Sequence, residues 1–182
     1  MAPDDPLSVR RATGVLLILS TVMILIGVIL YWVRQLGGGT ATPVGFFWER
    51  GSIAAGALVG VLGFTLLESI LSREGVSVLA RPGIVLIGIG AVCILLREAG
   101  AIQGTGWLPG SEELYMVLTM LGQAAFGAAV LRRGLLSKGA GWFTILWNLA
   151  WLVILPLTSP QDWYIPGVHM FAPLVIGIGL LL

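Results

Sequence analysis

Charge is what this chain has least of: ten basic and nine acidic residues in 182, or 10% of positions, set against 57% hydrophobic residues. With a mean hydropathy of +0.99, too few polar side chains remain to cover a water-facing surface, so the bilayer is the expected solvent. The charges nearly cancel to a net +1 and form no cluster, which excludes a nucleic-acid surface. One cysteine, Cys93, and one histidine, His169, leave no disulfide, no bis-histidine haem and no metal site of ordinary ligand spacing. HExxH, CxxC and phosphate-binding glycine loops are absent too, and no nucleophile has a base beside it. The expectation is therefore a protein that is not an enzyme and carries no cofactor or metal, with bound lipid the one small molecule to expect.

What is present is six apolar runs, near residues 12–33, 51–72, 76–96, 113–131, 140–158 and 167–182. A helix rises about 1.5 Å per residue, so about 20 apolar residues cross roughly 30 Å of hydrocarbon. The breaks carry Gly37-Gly38-Gly39 with Pro43, Arg73-Glu74-Gly75, Pro109-Gly110-Ser111, Arg132-Arg133-Gly134, and Ser159-Pro160 with Pro166. The predicted fold class is all-α: a single polytopic transmembrane bundle of six helices over residues 1–182. Ser111 is expected to N-cap the fourth helix, with Glu112 and Glu113 at the positive end of its dipole. The sixth run is short, so it ends within the interface or the natural chain continues past Leu182.

Alternate loops are unequally basic. Arg10, Arg11, Arg73, Arg81, Arg132, Arg133 and Lys138 fall on one side, Arg34, Arg50 and Arg97 on the other. The positive-inside rule then places both termini in the cytoplasm and the protein in the plasma membrane. Trp32, Trp48, Trp107, Trp163 and Tyr164 mark the opposite boundary, where amphipathic rings favour the headgroup level.

Helix association in lipid depends on small residues that let backbones approach. Ser52, Gly56 and Gly60, followed by Gly63, form such a stripe on helix two, and Gly122, Ala124, Ala125, Gly127, Ala128 and Ala129 do so on helix four. Ile87-Gly88-Ile89-Gly90 recurs as Ile176-Gly177-Ile178-Gly179, the pattern an inverted repeat would leave, although helices two and five share nothing comparable.

Polar groups in such a setting are costly and become candidate sites. Gln123 and Asn148 fall mid-helix, one turn after Thr119 and Thr144. The bland reading is a bridge between helices; the sharper one is a ligand pocket between helices four, five and six, lined also by Trp147, Trp151 and His169. Glu68, one turn before Ser72 near the inner end of helix two, suits a salt bridge with a nearby arginine or, alternatively, the proton site of a small carrier. Arg97, Glu98, Glu112 and Glu113 are expected at helix ends, around a shallow polar mouth beside a solvated rim that includes Arg34, Glu49, Arg50 and Asp162.

Phe126-Gly-Ala-Ala-Val-Leu-Arg132-Arg133-Gly134-Leu-Leu-Ser137-Lys138-Gly-Ala-Gly141-Trp142 joins an apolar helix, a basic glycine turn and a Trp-headed helix. This stretch resembles a broad group of uncharacterised bacterial six-helix membrane proteins. The resemblance implies bacterial origin and architecture, and it brings no activity or site. The sequence thus favours a non-enzymatic integral membrane protein, either an accessory subunit beside other membrane subunits or a binder of an apolar or amphipathic ligand; a small secondary transporter using Glu68 is the alternative.

Overall fold

The computed structural model describes residues 6–40, 42–73, 75–105, 109–158 and 167–182. Six α-helices follow in order: α1 (Pro6–Leu36), α2 (Pro43–Arg73), α3 (Ser77–Gln103), α4 (Ser111–Arg133), α5 (Lys138–Thr158) and α6 (Phe171–Leu181), the last entered through a 3-10 turn at Val168–Met170. There is no strand among the described residues. The first five helices are long and apolar enough to cross a membrane, whereas Val168–Leu181 is a shorter apolar segment than the sixth full crossing expected. Trp107, Asp162, Trp163 and Tyr164 lie outside the described residues, as do Glu74, Ser159, Pro160 and Pro166 of the expected breaks.

Every long helix exceeds its apolar run, and the excess matters most in α2. Pro43, expected within a break, opens the helix: its missing N–H costs nothing in the first turn, and the Thr42 hydroxyl accepts the Gly45 N–H at 3.1 Å. Glu49 and Arg50 therefore lie inside α2, about 9 Å along its axis at 1.5 Å per residue. In the same way α3 continues to Gln103 and stops at Gly104, whose φ of 67° only glycine adopts freely, so Arg97 and Glu98 are internal and do not end the helix. Ser111 proves to be the first residue of α4; Gly110 occupies the cap position, and no side chain caps that end. Ser137 is the cap that had gone unread, since its hydroxyl accepts the Ala140 N–H ahead of α5.

Each helix packs on its neighbours in the chain, and α6 closes back on α1 to complete a ring of six. Glycine seams explain the close packing. A Cβ on Gly56 would meet Ile24 Cγ1 at 2.6 Å and the Ser20 carbonyl at 3.0 Å, so the stripe read on helix two does seat α1. Gly83 and Gly122 face each other across α3 and α4, and Gly14 and Gly177 across α1 and α6. The repeated Ile-Gly-Ile-Gly motifs pack differently: Gly177 touches α1, whereas Gly88 faces open space.

The outer surface of the bundle is apolar, and its interior combines apolar clusters with buried polar and charged groups, unlike a water-soluble protein. Val15, Leu62, Val85, Leu96, Leu146 and Val153 are exposed, while Glu49, Arg50, Arg97, Glu98, Gln123, Asn148 and His169 are buried. Trp32 and Trp48 stay exposed at the end where a belt was expected. Two apolar clusters fill the axis. One, towards the chain termini, is built on Leu17, Phe64, Leu67, Leu71 and Phe126; the other, nearer the Arg34 end, is built on Ile24, Ile53, Ile94, Met116, Met120 and Leu155.

Candidate functional site

The helix extensions bring six charged side chains from four helices into one buried chain of alternating sign. The Arg34 guanidinium on α1 donates to both oxygens of Glu49 on α2, at 2.8 and 2.9 Å. Arg50 lies 3.2 Å from Glu49 Oε1 and donates to Glu98 Oε2 on α3 at 3.2 Å. Arg97 donates to Glu98 Oε1 at 2.9 Å and pairs with Glu112 on α4. Phe46 sits under both Arg34 and Arg50, with cation-to-centroid distances of 5.7 and 5.2 Å. Three cations and three anions leave no net charge. Glu98 and Glu49 are 0% and 1% exposed, which turns the expected shallow mouth into an interior network. Glu113 takes no part: it is exposed, and no ion pair joins it to the cluster among the described residues.

Burying these charges is costly, and the network offsets that cost by setting every charge against at least one of opposite sign.

Below it, α4 presents a polar stripe at four-residue spacing: Ser111, Tyr115, Thr119 and Gln123, all buried. Tyr115 meets the His169 ring edge-on at 5.4 Å. Next comes a cavity of about 30 Å3, lined by Ser20, Tyr115, Thr119, Gln123, His169 and apolar side chains of α2 and α3. That volume accommodates one or two waters and no larger solute. The Ser20 hydroxyl donates to the Gly56 carbonyl at 2.7 Å. Thr119 Oγ1 and Gln123 Oε1 have no hydrogen-bond partner among the described residues. Thr119→Val is accordingly expected to leave stability unchanged or raise it by up to about 1 kcal/mol in detergent thermal unfolding, since a buried orphan hydroxyl contributes nothing favourable. A loss above that size would mean the hydroxyl is bonded in the working protein.

His169 is held in place by its backbone. Thr21 donates to the Met170 carbonyl at 3.1 Å and the Trp147 indole donates to the Val168 carbonyl at 2.8 Å, so α1 and α5 clamp the 3-10 turn. The expected pocket between helices four, five and six is thus divided. Gln123 and His169 do share a cavity, but its other walls are α1, α2 and α3. Trp147 and Trp151 pack against each other and, through Phe143 and Phe171, into an aromatic cluster on α5 and α6. Asn148 is fully buried but donates to the Thr144 carbonyl of its own helix at 2.7 Å, in place of the expected bridge between helices, and its Oδ1 is left without a partner among the described residues.

Glu68 lies on the other side of an apolar layer. Phe64 and Phe126 meet at a tilt of 39° with centroids 4.9 Å apart beneath the cavity, and Leu67, Leu71 and Ala80 continue the seal. The Glu68 carboxylate accepts the Ser72 hydroxyl and faces Arg81 at 3.7 Å, the boundary salt bridge expected of it. Cys93 is half-buried packing.

No family model matches this chain. No curated protein and no solved structure matches it either. The site is therefore read from its own chemistry. Sequence reasoning named most of the charged residues but assigned many to a solvated rim, and it missed Tyr115 and Ser20. The signal for Tyr115 was available in the four-residue stripe that runs to Gln123; Ser20 looked like one more small residue in an apolar helix.

Proposed function

We propose that this chain is a non-enzymatic integral membrane protein of a bacterial plasma membrane, with its N-terminus in the cytoplasm, that serves as an accessory subunit beside other membrane proteins. One observation carries the reading: the polar interior ends on the Phe64–Phe126 layer, so no polar route joins the ion-pair network to Glu68 among the described residues. A carrier needs such a route in at least one state. The central cavity is also too small for a lipid or metabolite, which favours the accessory role over a binder between α4, α5 and α6. Seven basic residues against three support the orientation, and the turn from Phe126 to Trp142 supports the bacterial resemblance.

Two measurements test the proposal together. Reconstituted proteoliposomes are expected to show no proton flux above protein-free vesicles, with the parent and Glu68→Gln indistinguishable. Mild-detergent purification from native membranes is expected to retain another integral membrane chain in fixed stoichiometry. A proton flux in the parent that Glu68→Gln abolishes would replace this reading with the carrier.

A further inference from the structure

At the end of the bundle that carries both described termini, a second cavity opens between α1, α2 and the turn after α4. Its volume is about 370 Å3, large enough for a small-molecule group, unlike the central cavity. Arg10 of α1 and Arg73 of α2 flank it, Ser69 lies one turn before Arg73, and Leu7, Ile70 and Leu135 supply apolar wall. One Arg10 amino group reaches the Gly179 carbonyl at 3.4 Å and so holds the guanidinium beside α6. Its Nε is buried and has no hydrogen-bond partner among the described residues. With Arg73, Arg10 places two guanidinium side chains on one open cavity, which favours an anionic occupant.

The surroundings favour the same sign. The pocket sits at the first turns of α1, where the helix dipole is positive. In the last turns of α2 and α4 the carbonyls of Leu71, Ser72, Val130 and Leu131 accept the N–H groups of Gly75, Val76, Gly134 and Leu135, which lessens their pull against an anion. The nearby carboxylate of Glu68 is engaged by Ser72 and Arg81.

We infer that this pocket binds a phosphate group, with Arg10 and Arg73 as its cationic clamp, Ser69 as a hydroxyl donor, and the apolar wall taking the first carbons of a phospholipid. Two guanidiniums suit a phosphate better than a carboxylate because a tetrahedral anion offers oxygens to both forks. An anionic lipid headgroup and a free phosphate share that chemistry; the leucine and isoleucine wall favours the lipid. The inference requires only that the chain is embedded in a membrane, and it stands or falls separately from the accessory role.

The test is native mass spectrometry of the full chain in a mild detergent with equimolar phosphatidylglycerol and phosphatidylcholine, paired with thermal unfolding in the presence of inorganic phosphate. The parent is expected to retain phosphatidylglycerol preferentially, and Arg10→Gln with Arg73→Gln to weaken that retention about tenfold. Lys138→Gln, exposed at the same end but outside the pocket, is expected to retain it as the parent does. Arg73 is exposed, so Arg73→Gln alone reports on the pocket without loss of fold. Stabilisation by inorganic phosphate that the clamp substitutions remove, with no preference between the lipids, assigns the pocket to free phosphate. Equal losses in Lys138→Gln and the clamp variants, or no preference for phosphatidylglycerol and no response to phosphate, overturn the inference.

Discussion

Glu98→Ala is expected to cost about 3–5 kcal/mol of stability, the loss found when one member of a buried ion pair is removed and its partner keeps an uncompensated charge. Glu98 is fully buried and, as Glu49 does for Arg34 and Arg50, joins two arginines of different helices, Arg50 on α2 and Arg97 on α3. Without it the chain of six alternating charges becomes two fragments with one surplus cation. Glu98→Gln keeps the shape and should fall between Ala and the parent. Glu113→Ala, beside Glu112 but exposed and outside the network, is expected within about 0.5 kcal/mol of the parent. Denaturant or thermal unfolding in one detergent reads all three. If Glu98→Ala unfolds with the parent, the network is open to water and the interior described above does not exist.

The second large effect concerns two glycines whose substitutions should differ in sign. A Cβ on Gly122 would lie 2.7 Å from the Gly83 carbonyl oxygen and 2.6 Å from Ile87 Cγ1, so Gly122→Ala must force α3 and α4 apart, at a cost of about 1–3 kcal/mol. Gly88, five residues along α3 from Gly83 and so on a different face at about 100° per residue, has nothing within 4 Å of its would-be Cβ. Gly88→Ala should instead raise stability by about 0.5–1 kcal/mol, because alanine loses less backbone entropy on entering a helix. Both variants are measured by the same unfolding experiment. Equal effects of either sign would contradict the glycine seam between α3 and α4.

These two tests fall on different levels of what the residues themselves disclosed. The helical, apolar character of the chain was legible because apolar runs near 20 residues admit few alternatives. The stripe of Ser52, Gly56, Gly60 and Gly63 was legible too, since small residues at four-residue spacing share a helix face. Helix ends were harder to read. Thr42-Pro43 serves equally as a break or as a cap and first turn, and the choice moves Glu49 and Arg50 from a loop into a helix interior. Asn148 shows the same limit on a smaller scale, because an amide in a helix can bond to its own preceding turn or across to a neighbour.

Composition and periodicity alone determined that this protein is a set of long apolar helices with polar residues they have to hide, because hydropathy and helical spacing are local properties. Only the tertiary structure decided which charges meet, that α6 closes on α1, and that the polar interior stops at Phe64 and Phe126. Those outcomes depend on how helices are rotated and staggered against one another, and that is set by contacts between residues far apart in the chain.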